Sequence, residues 1–443
     1  FLTTDASGNT SWSAIDLTAL SASNLTSGTV PDARFPATLP AASAANLTAI
    51  PAANITGTLP AIDGSNLTGI SATPADGSIT QAKLNFPVAN RNLIINGAMQ
   101  VAQRGTSSTV NGYGSVDRFS VLSSGTDEAP THAQADVASG TTPYTLGFRK
   151  ALKITNGNQT SGAGADDYLV ARTVLEAQDI ANSGWNYLST SSSITISFWV
   201  KSSVAQNFYV NLWSQDGTNY NYIFETGSLT ADTWTKVTKT IIGNSNLTFN
   251  NDNGAGLRIQ LVAFYGTNKT GSVSLNTWAA FSGSTITPDM TSTWYTTNDA
   301  TLEITGVQLE VGSVATDFEH RSFGQELALC QRYYFKRTGG NGDQLCLGYA
   351  ESSNRFAFMI NYPVPMRENP SFTGSATSAR FYANNPSDTF NLSDLVVFQQ
   401  PTTPNPEQGA LWKESTGGAT AGQAGGLQTY DSNTGTMEFS AEL

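Results

Sequence analysis

The stretch from Leu302 to Arg337, LEITGVQLEVGSVATDFEHRSFGQELALCQRYYFKR, constrains the fold more than any other. Leu302 and Ile304 alternate with Glu303 and Thr305. After Gly306 the alternation resumes one residue out of phase, with Val307, Leu309 and Val311 flanking Gln308 and Glu310. Alternation with a period of two predicts a half-buried strand, and a one-residue slip at a glycine marks a β-bulge. Ser322 and Gln325 then supply the S-x-x-Q form of the capping box. Phe323, Leu327, Cys330 and Tyr334 fall on one helical stripe. Lys336 and Arg337 suit a last turn, and Gly339-Gly340 would end it, so the pattern predicts a helix over 322–337. This is the one helix the patterning predicts, and it separates a long β-rich region from a short one.

The long region, 91–321, reads as one β-domain. Asn92-Leu93-Ile94-Ile95-Asn96-Gly97 predicts a short strand entering an Asn-Gly turn. Leu152 and Ile154 mark another strand. Over 193–201, Ile194, Ile196, Phe198 and Val200 share one face, while Thr195, Ser197, Trp199 and Lys201 share the other. Phe208, Val210 and Leu212 repeat this with Tyr209, Asn211 and Trp213 opposite. Residues 234–242 and 257–265 supply further strands. About a dozen short strands with turn-rich connections predict a two-sheet jelly roll. The short region, 338–443, predicts a small β-rich tip with a strand and proline turn over 355–367 and further strands at 378–383, 392–399 and 437–441. A Gly-rich loop is expected at 415–426.

Residues 1–90 are a different polymer. They hold seven charged residues and a recurring short unit: Asn24-Leu25-Thr26, Asn46-Leu47-Thr48, Asn54-Ile55-Thr56 and Asn66-Leu67-Thr68. Gly28-Thr29-Val30-Pro31 and Gly57-Thr58-Leu59-Pro60 form a second pattern. Each unit offers one or two apolar side chains, too few to enclose a core within one chain. Such repeats bury their apolar side against neighbours, and identical chains in a cyclic oligomer are the simplest neighbours. The alternative is a flexible linker rich in Ala, Ser and Pro.

Bulk properties narrow the class. The formal net charge is −12, so nucleic-acid binding by phosphate neutralisation and a polybasic membrane anchor are not expected. Cys330 and Cys346, the two cysteines, make no disulfide framework. That fits a chain folded in a reducing cytoplasm. No apolar run approaches membrane-spanning length. The chain opens on Phe1 rather than Met, which leads us to expect a longer parent with an upstream attachment region.

ITGVQLEVGSVATDFEHRSFGQELALCQRYY resembles a segment common in bacteriophage tail fibres, where it closes one domain and leads into a C-terminal tip. The NLTG-x-[IL]P-like repeats of 1–90 resemble the shafts of trimeric phage fibres. NLIINGAM, SITISFWVKSS, TWTKVTKTI and ATLEITGVQLE, in that order, are similar to the layout of jelly-roll carbohydrate-binding modules. The resemblance implies an all-β homotrimer: an extended repeat shaft over 1–90, a jelly roll over 91–321, a helix collar over 322–337 and a β-rich tip over 338–443. It also implies a virion tail protein made in the host cytoplasm, attached to other tail or baseplate proteins through an N-terminal region, and binding a host cell-surface polysaccharide or lipopolysaccharide. Any secreted adhesin with a β-sandwich and a docking helix is the plainer alternative.

Reactive groups are sparse. His132 and His320 lack metal-ligand spacing, and no nucleophile elbow, phosphate loop, H-E-x-x-H or C-x-x-C occurs. No catalytic residue, metal or cofactor is therefore assigned, and no enzyme is expected. A depolymerising tailspike is the rival reading. It would need two carboxylates flanking a glycosidic bond, and Asp127-Glu128 and Asp166-Asp167 are the acidic pairs available. A structural fibre segment without its own receptor site is the third reading. Asn251-Asp252-Asn253-Gly254 reads as a hairpin turn rather than a cation loop. For sugar binding, aromatic faces with polar neighbours are the expected chemistry. Trp199, Tyr209 and Trp213 are candidates on strands, and Tyr220 and Tyr222 in what reads as a polar loop. Tyr349, Arg355, Tyr382 and Trp412 are candidates in the tip, with Tyr362 as a further contact.

Overall fold

The computed structural model describes residues 2–12, 91–375, 379–383, 389–392, 407–414, 418–430 and 434–443. The chain divides into two compact units, Phe1–Thr73 and Pro74–Leu443. Of the first, the described residues form an antiparallel hairpin of Leu2–Thr4 and Thr10–Trp12. The shaft expected over 1–90 lies, apart from residues 2–12, outside the described residues.

The second unit contains a β-sandwich of two six-stranded sheets. The front sheet runs, in spatial order, Trp278–Ala280, Tyr220–Ser228, Asn207–Ser214, Ala255–Tyr265, Tyr168–Glu176, Ser120–Ser124. The back sheet runs Thr235–Ile242, Ser193–Ser202, Thr301–Val311, Lys150–Thr155, Thr131–Asp136, Ser107–Ser108. All pairings between these strands are antiparallel. Alternation puts Ile194, Ile196, Phe198 and Val200 of the back sheet against Phe208, Val210, Leu212, Leu257, Ile259 and Leu261 of the front sheet in one buried core. Each such side chain, removed from water, contributes roughly 1.5–3 kcal/mol. This is the jelly-roll layering that the alternating strands predict.

The Thr301–Val311 strand has its register shift between Thr305 and Gln308, and Gly306 within it has φ +63°. The bulge is where the strand changes partners. Up to Ile304 it pairs with Lys150–Thr155. Beyond the bulge its open edge is met by residues 92–97. Leu93 N–H donates to Leu309 O at 2.9 Å, and Val307 N–H donates to Gly97 O at 2.9 Å. Asn92 completes the junction: its Nδ2 donates to Val307 O at 3.0 Å, and its Oδ1 accepts from Leu309 N–H at 3.0 Å. Residues 92–97 are therefore a bent latch rather than the expected strand. The Asn92 side chain takes over hydrogen bonds that a ladder would make, while Asn96, at φ 60°, holds the turn by bonding Val101 and Asp117.

The helix is shorter than the sequence predicts. It spans Phe323–Gln331, with the Ser322/Gln325 capping box in place. Lys336 and Arg337 belong instead to a strand, Tyr334–Gly339, paired with Gly435–Ser440. The run Tyr333-Tyr334-Phe335 favours a pleated, half-buried surface over a helix, and a partner strand is available. The predicted stripe changes with it: Phe323 is exposed and Leu327 half-buried, whereas Glu326 and Cys330 are buried. On the outward side, Ala328, Leu329 and Arg332 line a cleft of about 1080 Å³ with Leu93, Ile95 and Val364.

The tip holds a three-stranded sheet, Tyr334–Gly339, Gly435–Ser440, Ser371–Ser375. Its six-stranded sheet runs Thr389–Asn391, Ala379–Ala383, Ala424–Thr429, Gln344–Ala350, Arg355–Asn361, Gln408–Glu414. Gly425 and Gly426, expected in a loop, lie inside a strand. A Cβ on Gly425 would come within 2.5 Å of the Phe381 ring, so glycine here permits close packing. The strand expected at 392–399 lies, apart from Leu392, outside the described residues.

Tip and sandwich are joined by buried charge. Arg332 makes two 2.7 Å hydrogen bonds to the Glu176 carboxylate, and Tyr333 Oη donates to it at 2.5 Å. Glu442 pairs with both Arg104, at 3.1 Å, and Arg118. Tyr333 and Tyr334 lie under these guanidinium groups, 3.4 Å from Arg118 and 3.6 Å from Arg104.

Candidate functional site

The two groups of candidate aromatics have different fates. Those of the sandwich are committed to packing. Trp199 is half-buried on the outer face of the back sheet, against a cluster that includes Phe148, Trp234 and Phe318. Tyr209 lies buried on the outer face of the front sheet with Val170, Ile223, Val262, Tyr265 and Ile286. Burial, and next the Glu225 carboxylate, push its phenol pKa up. Trp213 is stacked on Phe281, with ring centroids 3.8 Å apart at 11°. The Arg258 guanidinium lies 4.5 Å from the same ring, so the indole is engaged by packing partners. Tyr220 and Tyr222 are not in a loop but on the Tyr220–Ser228 strand. Their side chains face the core, Tyr222 against Trp278 at 5.5 Å. The sequence places them in a loop because Asn219, Asn221 and the preceding Gly-Thr mask the alternation with Ile223 and Phe224.

The tip candidates come together. Directly opposed residues in an antiparallel sheet share a face. Tyr349 opposes Ala357, and Ala357 opposes Trp412. In the next row Leu347 opposes Met359, which opposes Ala410. On the other side Leu347 opposes Gly426, which opposes Tyr382. Arg355, two residues before Ala357, shares this face. Phe356, Phe358, Ile360, Phe381, Leu411 and Leu427 turn the opposite way into the tip core. The outer face is thus a patch of Tyr349, Trp412, Leu347, Met359 and Tyr382 around a floor of Ala357, Ala410 and Gly426. Leu347 is 69% exposed, Met359 50% and Tyr349 45%. Tyr349 and Trp412 sit two strand spacings apart, about 10 Å. Polar groups rim the patch: Arg355 pairs with Glu351 at 2.8 Å and lies 4.9 Å from the Trp412 ring. Arg380 lies 5.4 Å from the Tyr382 ring. Tyr362 is buried in the core instead, and burial pushes its phenol pKa up to about 12.

Leu347 and Met359 are absent from the sequence candidates. Their signal is present, since each alternates with buried neighbours on a strand and must therefore face outward.

The groups considered for catalysis are tied into loops. Asp127 accepts from Ser161 N–H at 2.6 Å, Glu128 from Asn158 N–H at 2.7 Å, Asp166 from Asn268 Nδ2 at 2.9 Å, and Asp167 from Gly164 N–H at 2.7 Å. His132 hydrogen-bonds Ser115 Oγ at 2.8 Å and Val110 O at 2.9 Å. His320 hydrogen-bonds Leu146 O at 2.8 Å. Asp252 caps Gly254 N–H at 2.9 Å, in a segment that crosses between the sheets rather than in a hairpin. Among the described residues no three His, Cys, Asp or Glu side chains gather as metal ligands, and no helix is long and apolar enough to cross a membrane.

No family model and no curated protein matches the sequence. Solved structures with similarity include the enzymatically active domain of tailspike protein 4 from bacteriophage CBA120, at 10% identity and TM-score 0.27, over 50% of this chain and 21% of that one. This chain thus spans about a fifth of the tailspike chain. Similar too are the CBM22-1 xylan-binding domain from Paenibacillus barcinonensis, at 10% identity and TM-score 0.25, over 52% of this chain and 100% of that one, and the family 11 carbohydrate-binding module from Clostridium thermocellum, at 11% identity and TM-score 0.22, over 48% and 98%.

Proposed function

We propose that this chain is a phage tail-fibre adhesin that binds a host surface polysaccharide through the outer face of the tip sheet. The observation that carries the reading is the outward-facing row of exposed Tyr349, half-buried Ala357 and half-buried Trp412, beside exposed Leu347 and Met359. Aromatic side chains offer sugar rings a flat apolar surface at small entropy cost, and the Arg355 and Arg380 rim supplies donors for hydroxyls. An exposed contiguous apolar patch marks a contact site. In this reading the protein works as a homotrimer on the virion, its 1–90 repeats forming the shaft and an upstream region joining other tail or baseplate proteins. Three weak sites on one support then gain avidity. It binds without cleaving, and the loop roles of Asp127, Glu128, Asp166 and Asp167 support that.

The test is a glycan array probed with the whole chain. Tyr349→Ala and Trp412→Ala should each weaken the best glycan signal by about tenfold or more, about the effect of removing a stacking ring. The eluted glycan should keep its length. Shortened glycan would make the protein a depolymerase, and unchanged binding by both variants would move the receptor site off the tip. Point variants are preferable to cutting the chain near Arg337. That cut removes Glu442 and would leave Arg118 a buried charge without its carboxylate partner, and Arg104 with Asp117 alone at 3.9 Å.

A further inference from the structure

A second patch lies on the outer face of the front sheet, separate from the tip face. Register places Trp213 opposite Arg258, Asn211 opposite Gln260, and Gln260 opposite Arg172, so these side chains share one face across three strands. The floor of the patch is closed: Asn211 is 0% exposed and Gln260 4%. Yet Asn211 Oδ1 and Nδ2, Gln260 Oε1, Trp213 Nε1 and Arg258 Nε are buried with no hydrogen-bond partner. Buried polar atoms are nearly always satisfied, and each orphan is destabilising. Five on adjacent residues call for a guest.

The charge says which guest. Arg172 and Arg258 are half-buried, so the rim is open to solvent. Arg172 donates to Ser120 Oγ at 3.2 Å, and among the described residues neither guanidinium makes an ion pair. The ionisable groups around them are the phenols of Tyr265 and Tyr113, with Glu442 near Tyr113 engaged by Arg104 and Arg118. Burial, and then the like charge of Arg172, lower the Arg258 pKa to about 10. An unpaired, half-buried cation beside a second cation is destabilising by itself. The unpartnered groups include donors of fixed direction, the Trp213 indole N–H and the Arg258 Nε–H. The Asn211 and Gln260 amides can turn either end inward.

We propose that Arg258, Arg172, Asn211, Gln260 and the Trp213 indole N–H form a binding site for a carboxylate group. Arginine offers a planar fork that matches a carboxylate bidentately, and the amides complete the shell. The carboxylate could be that of an acidic sugar in a glycan or of a free small acid, and the test separates these sources.

The test uses the whole assembled chain with three probes: oligogalacturonate, its methyl ester, and sodium acetate. Calorimetry should show oligogalacturonate binding at least about tenfold tighter than the ester, the worth of a charge-assisted hydrogen-bond pair. It should also raise the wild-type melting temperature by mass action. Arg258→Gln should lose that binding by about tenfold or more, while its ligand-free melting temperature stays level or rises. Tyr349→Ala should leave it unchanged, so failure here and failure of the tip reading are distinguishable. Binding of acetate with no gain for oligogalacturonate upholds the carboxylate site with a free acid as its ligand. Equal binding of acid and ester, or unchanged binding by Arg258→Gln, overturns the proposal. So does an Arg258→Gln assembly that falls apart on sedimentation, because the guest would then be a neighbouring subunit's side chain.

Discussion

Gly306 is the residue on which the back sheet turns. Its φ of +63° and its closeness to Phe148, whose ring would lie 2.6 Å from an added Cβ, leave no room for a side chain. Gly306→Ala should cost about 2 kcal/mol or more, read as a lower urea midpoint with unchanged slope. Asp117 makes a pH-dependent contribution. Burial pushes its carboxyl up to about 6, against the opposing hydrogen bonds from Gln103 and the Arg104 charge. A carboxyl whose folded pKa lies above its unfolded value near 4 binds its proton more tightly when folded. Stability should therefore rise as pH falls from about 6 to 4, by up to about 2–3 kcal/mol. In Asp117→Asn that slope should vanish in urea titrations at pH 7 and pH 4.5. A wild-type slope of the opposite sign would refute the assignment.

At the scale of elements, the Glu176 carboxylate ties the strand that ends at it to Arg332 and Tyr333 just past the helix. Burial raises its pKa, but the hydrogen bonds from Arg332 and Tyr333 more than offset this and hold it below the usual range. Glu176→Gln should cost about 2–4 kcal/mol by leaving Arg332 without its partner. The loss should appear as earlier proteolysis between sandwich and tip. Elements that obey local rules were legible in the sequence: the alternating strands, the bulge at Gly306 and the Ser322/Gln325 cap. Those decided by distant partners were not. Residues 92–97 carry strand-like side chains but bend because the Asn92 side chain satisfies a far edge and the Asn96 side chain ties the turn to Val101 and Asp117. The helix stops at Gln331 because Tyr334–Gly339 finds Gly435–Ser440, about a hundred residues away in sequence. The candidate site was half legible. Aromatics can be read as outward-facing, but only tertiary packing shows that Phe281 and Arg258 cover Trp213 while Tyr349 stays open. The Arg258/Gln260 pair had a local signal, two polar residues alternating inside GLRIQLVAFY, which an aromatic search passes over.

At the scale of the whole molecule, the described structure divides its labour. The sandwich spends its aromatics on its own packing, and the tip leaves an aromatic and apolar face open. Sedimentation of the full chain should give a homotrimer, and a stable compact monomer would remove the shaft from the account. The most direct test of the adhesin reading is binding of the whole chain to immobilised host polysaccharide, comparing wild type, Tyr349→Ala, Trp412→Ala and Trp199→Phe. The account predicts that both tip variants lose about tenfold or more in affinity, the worth of one stacking contact. Trp199→Phe, a conservative change to a packed ring, should bind as wild type. Tip variants that bind as wild type while Trp199→Phe fails would contradict it and place recognition on the sandwich.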